Sequence, residues 1–143
     1  WLTQLYTRLI CDEFYGTTPE HGYGYGQDED QGQLGAWYVM AAVGLFDVQG
    51  GTNITPSYQI GSPKFRKITI KLDPRYYSGK TLVIETENNA PDHYYVQSAT
   101  LNGQPLEDCW FYRREIINGG HLKLQMDSTP NTRWGIASMP HSK

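Results

Sequence analysis

The chain holds two cysteines, Cys11 and Cys109, in 143 residues. That excludes a disulfide scaffold but leaves one bridge or two free thiols open, and it does not fix the compartment. Cys11 falls in a helical pattern and Cys109 in a strand pattern. No apolar run approaches the roughly 20 residues that cross a bilayer, so no membrane span is expected. Positive charge is sparse and unclustered, with Lys+Arg 12 against Asp+Glu 15 and a net charge of −3. Nucleic acid is therefore not an expected partner. The four histidines, His21, His93, His121 and His141, are scattered, and no pair has the spacing of metal ligands. No Ser or Cys lies in a nucleophile elbow. Gly22-Tyr-Gly-Tyr-Gly26 does not follow a strand, so it is no dinucleotide fingerprint. The chain opens at Trp1, without an initiator methionine and inside an amphipathic pattern. The expectation is the C-terminal piece of a longer protein.

What is abundant is glycine (15) and aromatic side chains, 13% of residues, with 11 tyrosines. Such a composition suits an aromatic-rich β core. It also suits sugar binding, because pyranose rings stack on aromatic faces.

Residues 1–15 place Leu2, Leu5, Tyr6, Leu9, Ile10 and Phe14 at spacings of three and four, one face of a helix that Gly16 should end. Thr17-Thr18-Pro19 marks a turn. Residues 17–30 read as a loop of glycines and acids. Residues 31–45 read as a second helix, apolar nearly all round, which needs cover that a chain of this length does not obviously supply. After Gly44 the pattern changes. Gly50-Gly51 and Pro56 form a connector, and from about residue 58 the period is two. Strands are expected at 67–72, 81–86, 94–101, 110–112 and 121–126, with turns at Asn102-Gly103 and Asn118-Gly119-Gly120. The fold class is α+β: a helical hairpin over 1–48, then an antiparallel, sandwich-like β unit over 49–143.

The stretch 22–37 carries the chemistry: a glycine-rich loop, the acids Asp28, Glu29 and Asp30, then a helix start. Asp30-Gln-Gly-Gln33 fits a capping box, in which Asp30 accepts the Gln33 amide and Gln33 reaches back. Asp28 and Glu29 would then lie near the positive helix end. The same seat suits a carboxylate acting as general base on water. Inverting glycoside hydrolysis needs a second carboxyl about 6.5–9.5 Å away, across the sugar, and neighbours in one triplet cannot easily supply both. Clustered carboxylates also favour calcium over zinc.

Six blocks, in order, resemble glycoside hydrolase family 92. They are Gly16-Thr-Thr-Pro19; Asp28-Glu-Asp-Gln-Gly-Gln-Leu-Gly-Ala-Trp-Tyr38; Gly44-Leu-Phe46; Tyr58-Gln-Ile-Gly-Ser-Pro63 with Phe65; Asn88-Asn89 through Tyr95-Val-Gln-Ser-Ala-Thr-Leu-Asn-Gly103; and Gly119-Gly120-His-Leu through Pro130-Asn131 and Trp134-Gly135. The resemblance implies a calcium-dependent, inverting exo-α-mannosidase, mostly of glycan-feeding bacteria, with an N-terminal β-sandwich and an (α/α)6 barrel. Residues 1–48 would be the last helices and active-site loop of that barrel, and 49–143 the C-terminal β-rich segment. The family's Asp-x-Asp falls on Asp28 and Asp30, with Asp30 as the base and Asp28 its partner. Glu29, Tyr25 and His21 become the candidate substrate-binding residues. The general acid would be a glutamate far upstream. The implied partners are a mannose-containing glycan, with α-1,2 links first, and the rest of the parent chain. The implied location is periplasmic or secreted. Where the family often has Leu-Pro-Gly this chain has Tyr23-Gly24-Tyr25-Gly26, and Leu34-Gly35 stands where Met-Ser is common. The first change lies beside the active site and bears on linkage preference.

The resemblance favours catalysis over a bare cap, and one helix end can serve both. A different class stays open: a non-catalytic carbohydrate-binding or structural β module with the acids as a cap. Such a module has no need of the buried helix 31–45. An exposed apolar helix face would also allow the fragment to self-associate.

Overall fold

The structure, a computed structural model, describes residues 1–23 and 30–140. Two helices lead the chain, α1 (Leu2–Glu13) and α2 (Gln33–Val43). Among the described residues eight strands follow: β1 (Leu45–Phe46), β2 (Ser57–Ile60), β3 (Lys67–Lys71), β4 (Thr81–Glu87), β5 (Tyr95–Leu101), β6 (Gln104–Leu106), β7 (Trp110–Tyr112) and β8 (Gly120–Asp127). This is the α+β class that the periodicities imply. The strands form a three-stranded sheet, β1-β2-β7, and a five-stranded sheet, β3-β4-β8-β5-β6.

The expected strands lie within a residue or so of their predicted limits, while β1 and β6 are too short to show a period. One pairing was not expected. β4 and β8 run parallel, with Ile84 opposite Leu122 and Thr86 opposite Leu124, whereas every other pair is antiparallel. Parallel neighbours need a crossover, and here β5, β6 and β7 make it. Asn118-Gly119-Gly120 therefore feeds β8 into the middle of the sheet and does not close a hairpin. Asn102-Gly103 does close one, between β5 and β6. Both residues have positive φ, 53° and 81°. The Asn102 carboxamide also accepts the His121 N–H at 2.9 Å and donates to the Glu115 carbonyl at 3.1 Å.

Alternation builds the core. Leu82, Ile84 and Thr86 of β4 and Leu122, Leu124 and Met126 of β8 point inward, and four of these six are fully buried. Leu45, Ile60 and Phe111 of the smaller sheet join the same cluster. The strand β5 keeps its inward face across a register shift between Val96 and Ser98. Trp110 and Trp134 are core residues, both 8% exposed, and their indole N–H groups donate to the carbonyls of Ser138 and Leu106.

The helices dock in a way the apolar pattern did not suggest. The buried residues of α1 are Gln4, Arg8 and Cys11, one stripe at spacings of four and three. Gln4 accepts the Val96 N–H at 3.0 Å. Arg8 donates to the Pro63 carbonyl at 3.0 Å and stacks over Tyr94 at 5.3 Å. Lys64 pairs with Asp12. The apolar face instead looks outward, with Trp1, Leu2, Tyr6 and Phe14 45–57% exposed. In α2 only Ala41 and Ala42 are buried, and Val39 is 58% exposed. The second helix is thus apolar without being covered.

Gly44 ends α2 in the left-handed conformation, φ 79°, its N–H shared between the Met40 and Ala41 carbonyls. A side chain there would also strike the Pro63 ring. Gly16 does not end α1. Phe14 is the cap, right-handed at φ −104°, with its N–H on Ile10. Gly16 is required for a different reason: the His21 ring lies where its Cβ would be.

Candidate functional site

The end of α1 and the start of α2 meet in an aromatic cluster. Tyr15 stacks on Trp37, with centroids 5.5 Å apart and planes 11° apart, and tilts against Tyr23 at 5.3 Å and Tyr38 at 5.1 Å. Phe14 adds a contact to Tyr23 at 6.1 Å. The Tyr15 hydroxyl donates to the Leu34 carbonyl at 3.1 Å. Short backbone bonds fix the loop's entry: the Tyr23 N–H donates to Phe14 at 2.7 Å and the Gly16 N–H donates to Tyr23 at 3.1 Å. Trp37 is half-buried within this cluster.

His21 is half-buried over Gly16. Its Nδ1 lies 2.9 Å from the Thr18 hydroxyl and its N–H donates to the Thr18 carbonyl. Hydrogen bonds from Thr18 and from the backbone lower the pKa of the neighbouring, exposed Glu20. Asp30 is exposed, at φ 57°, and Gln31 follows at φ 63°. The other expected site residues, Asp28, Glu29 and Tyr25, lie outside the described residues. Asp30 and His21 therefore stand on the two flanks of that stretch.

The capping box does not form. Gly32 is the N-cap of α2, in the left-handed conformation at φ 89°, and as a glycine it offers no side chain to the helix end. The Gln33 N–H bonds the Asp30 backbone carbonyl at 3.3 Å and leaves the Asp30 carboxylate out of the cap. That removes the plainest structural task assigned to Asp30.

Among the described residues no group of three His, Cys, Asp or Glu side chains gathers as a metal cradle. The described donors do not fit a calcium ion. A cavity of about 280 Å³ between α1, α2 and the smaller sheet is lined by Gln4, Thr7, Trp37, Ile60 and Cys109 among others, without a carboxylate. His21, the one expected sugar-binding residue among those described, is not in its lining. Two of the remaining histidines are accounted for locally, His121 at 3.0 Å from Glu85 and His93 at 2.5 Å from the Asn88 carbonyl, and His141 lies outside the described residues.

Sequence reasoning missed Tyr15 and the polar stripe Gln4, Arg8 and Asp12. The stripe had a signal, four-residue spacing on one helix face. Tyr15 had none, since its partners are distant in sequence.

Residues 1–128 match the sequence profile of the glycosyl hydrolase family 92 catalytic domain. The chain belongs to that family. A solved family 92 inverting mannosidase from Bacteroides thetaiotaomicron VPI-5482 is 40% identical with a TM-score of 0.82, covering 99% of this chain and 18% of that one. A family 92 α-mannosidase from Bacteroides thetaiotaomicron is 29% identical with a TM-score of 0.79, covering 94% of this chain and 17% of that one. An uncharacterized secreted glycosidase of Arthroderma benhamiae is 32% identical over 110 residues, 76% of this chain and 13% of its own length. The chain thus spans less than a fifth of each of these relatives.

Proposed function

We propose that these residues are the C-terminal part of an inverting exo-α-mannosidase acting on mannose-containing glycans, with α-1,2 links as the first substrate. The observation that carries the reading is the family 92 match together with the exposed Asp30, freed from the cap, at the start of α2. In this reading Asp30 takes the proton of the water that attacks the anomeric carbon, and Asp28 supports it. Glu29, Tyr25 and His21 hold the sugar. A glutamate upstream protonates the leaving oxygen, so inversion follows from two carboxyl groups on opposite faces.

The division at residue 48 is part of the same proposal. The bare apolar face of α1 and the uncovered α2 are what a barrel interior looks like when its other helices are elsewhere. The chain alone is then inactive and prone to self-associate. A monomer at high concentration by light scattering would count against self-association. The whole protein is expected to be bacterial, calcium-dependent and periplasmic or secreted. The Bacteroides relatives and the relative named a secreted glycosidase support source and location.

The test is hydrolysis of α-1,2-mannobiose by the full-length protein, with and without chelator, with the anomer of the released mannose read by NMR. Prompt release of the β-anomer, abolished by chelator, is expected. Release of the α-anomer, or no turnover of any α-mannoside, would refute the reading. So would hydrolysis of an aryl α-mannoside by the 143-residue chain alone.

A further inference from the structure

We propose that Tyr15 is a positioning residue that fixes the first turn of α2, and with it Asp30, against the end of α1. The inference rests on the reading of Asp30 as general base. Its geometry stands apart from that reading.

One side chain grips α2 at three places. The Tyr15 hydroxyl bonds the Leu34 carbonyl, and its ring covers Trp37 and Tyr38. Leu34, Trp37 and Tyr38 have the i, i+3, i+4 spacing of a single helix face. The same ring meets Tyr23, and the backbone on either side of Tyr15 is hydrogen-bonded to Tyr23. Tyr15 therefore ties the entry to the acid segment directly to its exit.

The exit needs such a tie. Asp30 and Gln31 are consecutive non-glycine residues at positive φ, 57° and 63°. Each costs energy and persists only where the surroundings over-determine it. The N-cap Gly32 has no side chain to bond the helix's free amides, and the Gln33 N–H bond to Asp30 is long at 3.3 Å. Tyr15 supplies a hold on the first turn through Leu34 and Trp37. Asp30 is two residues before the N-cap, so any rotation of that turn moves its carboxylate.

The test uses the full-length protein as wild type, Tyr15→Phe, Tyr15→Leu and Asp30→Asn. It measures kcat and KM on an aryl α-mannoside, and hydrogen exchange of the Gln33–Trp37 amides. Displacing a reacting group by about 1 Å can cost roughly 10²-fold, so Tyr15→Leu should lose about that much in kcat with KM nearly unchanged. Tyr15→Phe keeps the rings, loses only the hydroxyl bond, and should fall about 10-fold below wild type, within that same limit. Both should exchange faster over Gln33–Trp37. Wild-type kcat with unchanged exchange in either variant that folds would overturn the proposal. So would a rise in KM at constant kcat, since that marks a direct sugar contact. Wild-type turnover by Asp30→Asn would sink the base assignment alone. Exchange in the Tyr15 variants would then decide the clamp.

Discussion

Replacing Gln4 by Met separates a hydrogen bond from the volume that makes it. Gln4 is 3% exposed and accepts the N–H of Val96, itself 1% exposed, at 3.0 Å. Methionine fills nearly the same space but accepts only weakly. The variant strands a buried backbone donor, a loss of about 1–3 kcal/mol. For a chain of this size each kcal/mol moves Tm by roughly 3–4 °C, so Tm should fall by about 3–12 °C. Urea and thermal unfolding measure the loss, and hydrogen exchange locates it. The Val96 amide, at the start of β5, should lose protection while Leu122 and Leu124 keep theirs. The outward neighbour provides the contrast. Tyr6→Ser removes a side chain 57% exposed in the isolated chain and should change its stability by no more than about 0.5 kcal/mol. A stability for Gln4→Met within about 0.5 kcal/mol of wild type would refute the idea that α1 docks through its polar stripe.

Gly44→Ala forces a side chain into left-handed backbone, about 1–2 kcal/mol, and against the Pro63 ring. Gly50→Ala meets the same backbone condition, φ 60°, with no atom within 4 Å, so chemical unfolding should show Gly44→Ala to be the costlier. Four groups predict loss of stability at alkaline pH. Burial raises Cys11 and Cys109 from their ordinary 9.0 and Tyr58 from 10.0. Burial lowers Lys64, but its hydrogen bond and charge pairing with Asp12 outweigh that and raise it above 10.5. Each folded pKa lies above the unfolded one. The folded state holds these protons more tightly, and that stability is complete below the ordinary values and lost as pH rises through the folded ones. Melts at pH 7 and 8 should coincide, and Tm should fall from about pH 9 upward. A flat or rising Tm between pH 9 and 11 would contradict this.

Period carried most of the β unit. Lys67–Lys71, Thr81–Glu87 and Gly120–Asp127 alternate because one face of each is buried, and that alternation is written in single residues. The parallel partnership of β4 and β8 was not legible, since pairing depends on the path of residues 88–119 and not on the pattern inside either strand. The helices misled for a related reason. Leu2, Tyr6 and Phe14 mark a face for burial, and the residues described here supply nothing to bury it against. What docks α1 is Gln4 and Arg8, polar residues whose buried partners, Val96 and Pro63, lie 92 and 55 positions away. At the site, the Asp-x-Asp resemblance named Asp28 and Asp30, of which only Asp30 is among the described residues, and the capping box failed because Asp30, Gln31 and Gly32 all took left-handed backbone.

The central claim is that the carboxylates of this loop do the base work of a mannosidase. It is tested most directly by α-mannobiose hydrolysis in the full-length protein as wild type, Asp30→Asn and Asp28→Asn, with circular dichroism to show that each is folded. A general base contributes on the order of 10²-fold or more. The account predicts at least that loss in Asp30→Asn and a measurable one in Asp28→Asn. Near-wild-type turnover in both variants would contradict it and leave the chemistry entirely outside residues 1–143.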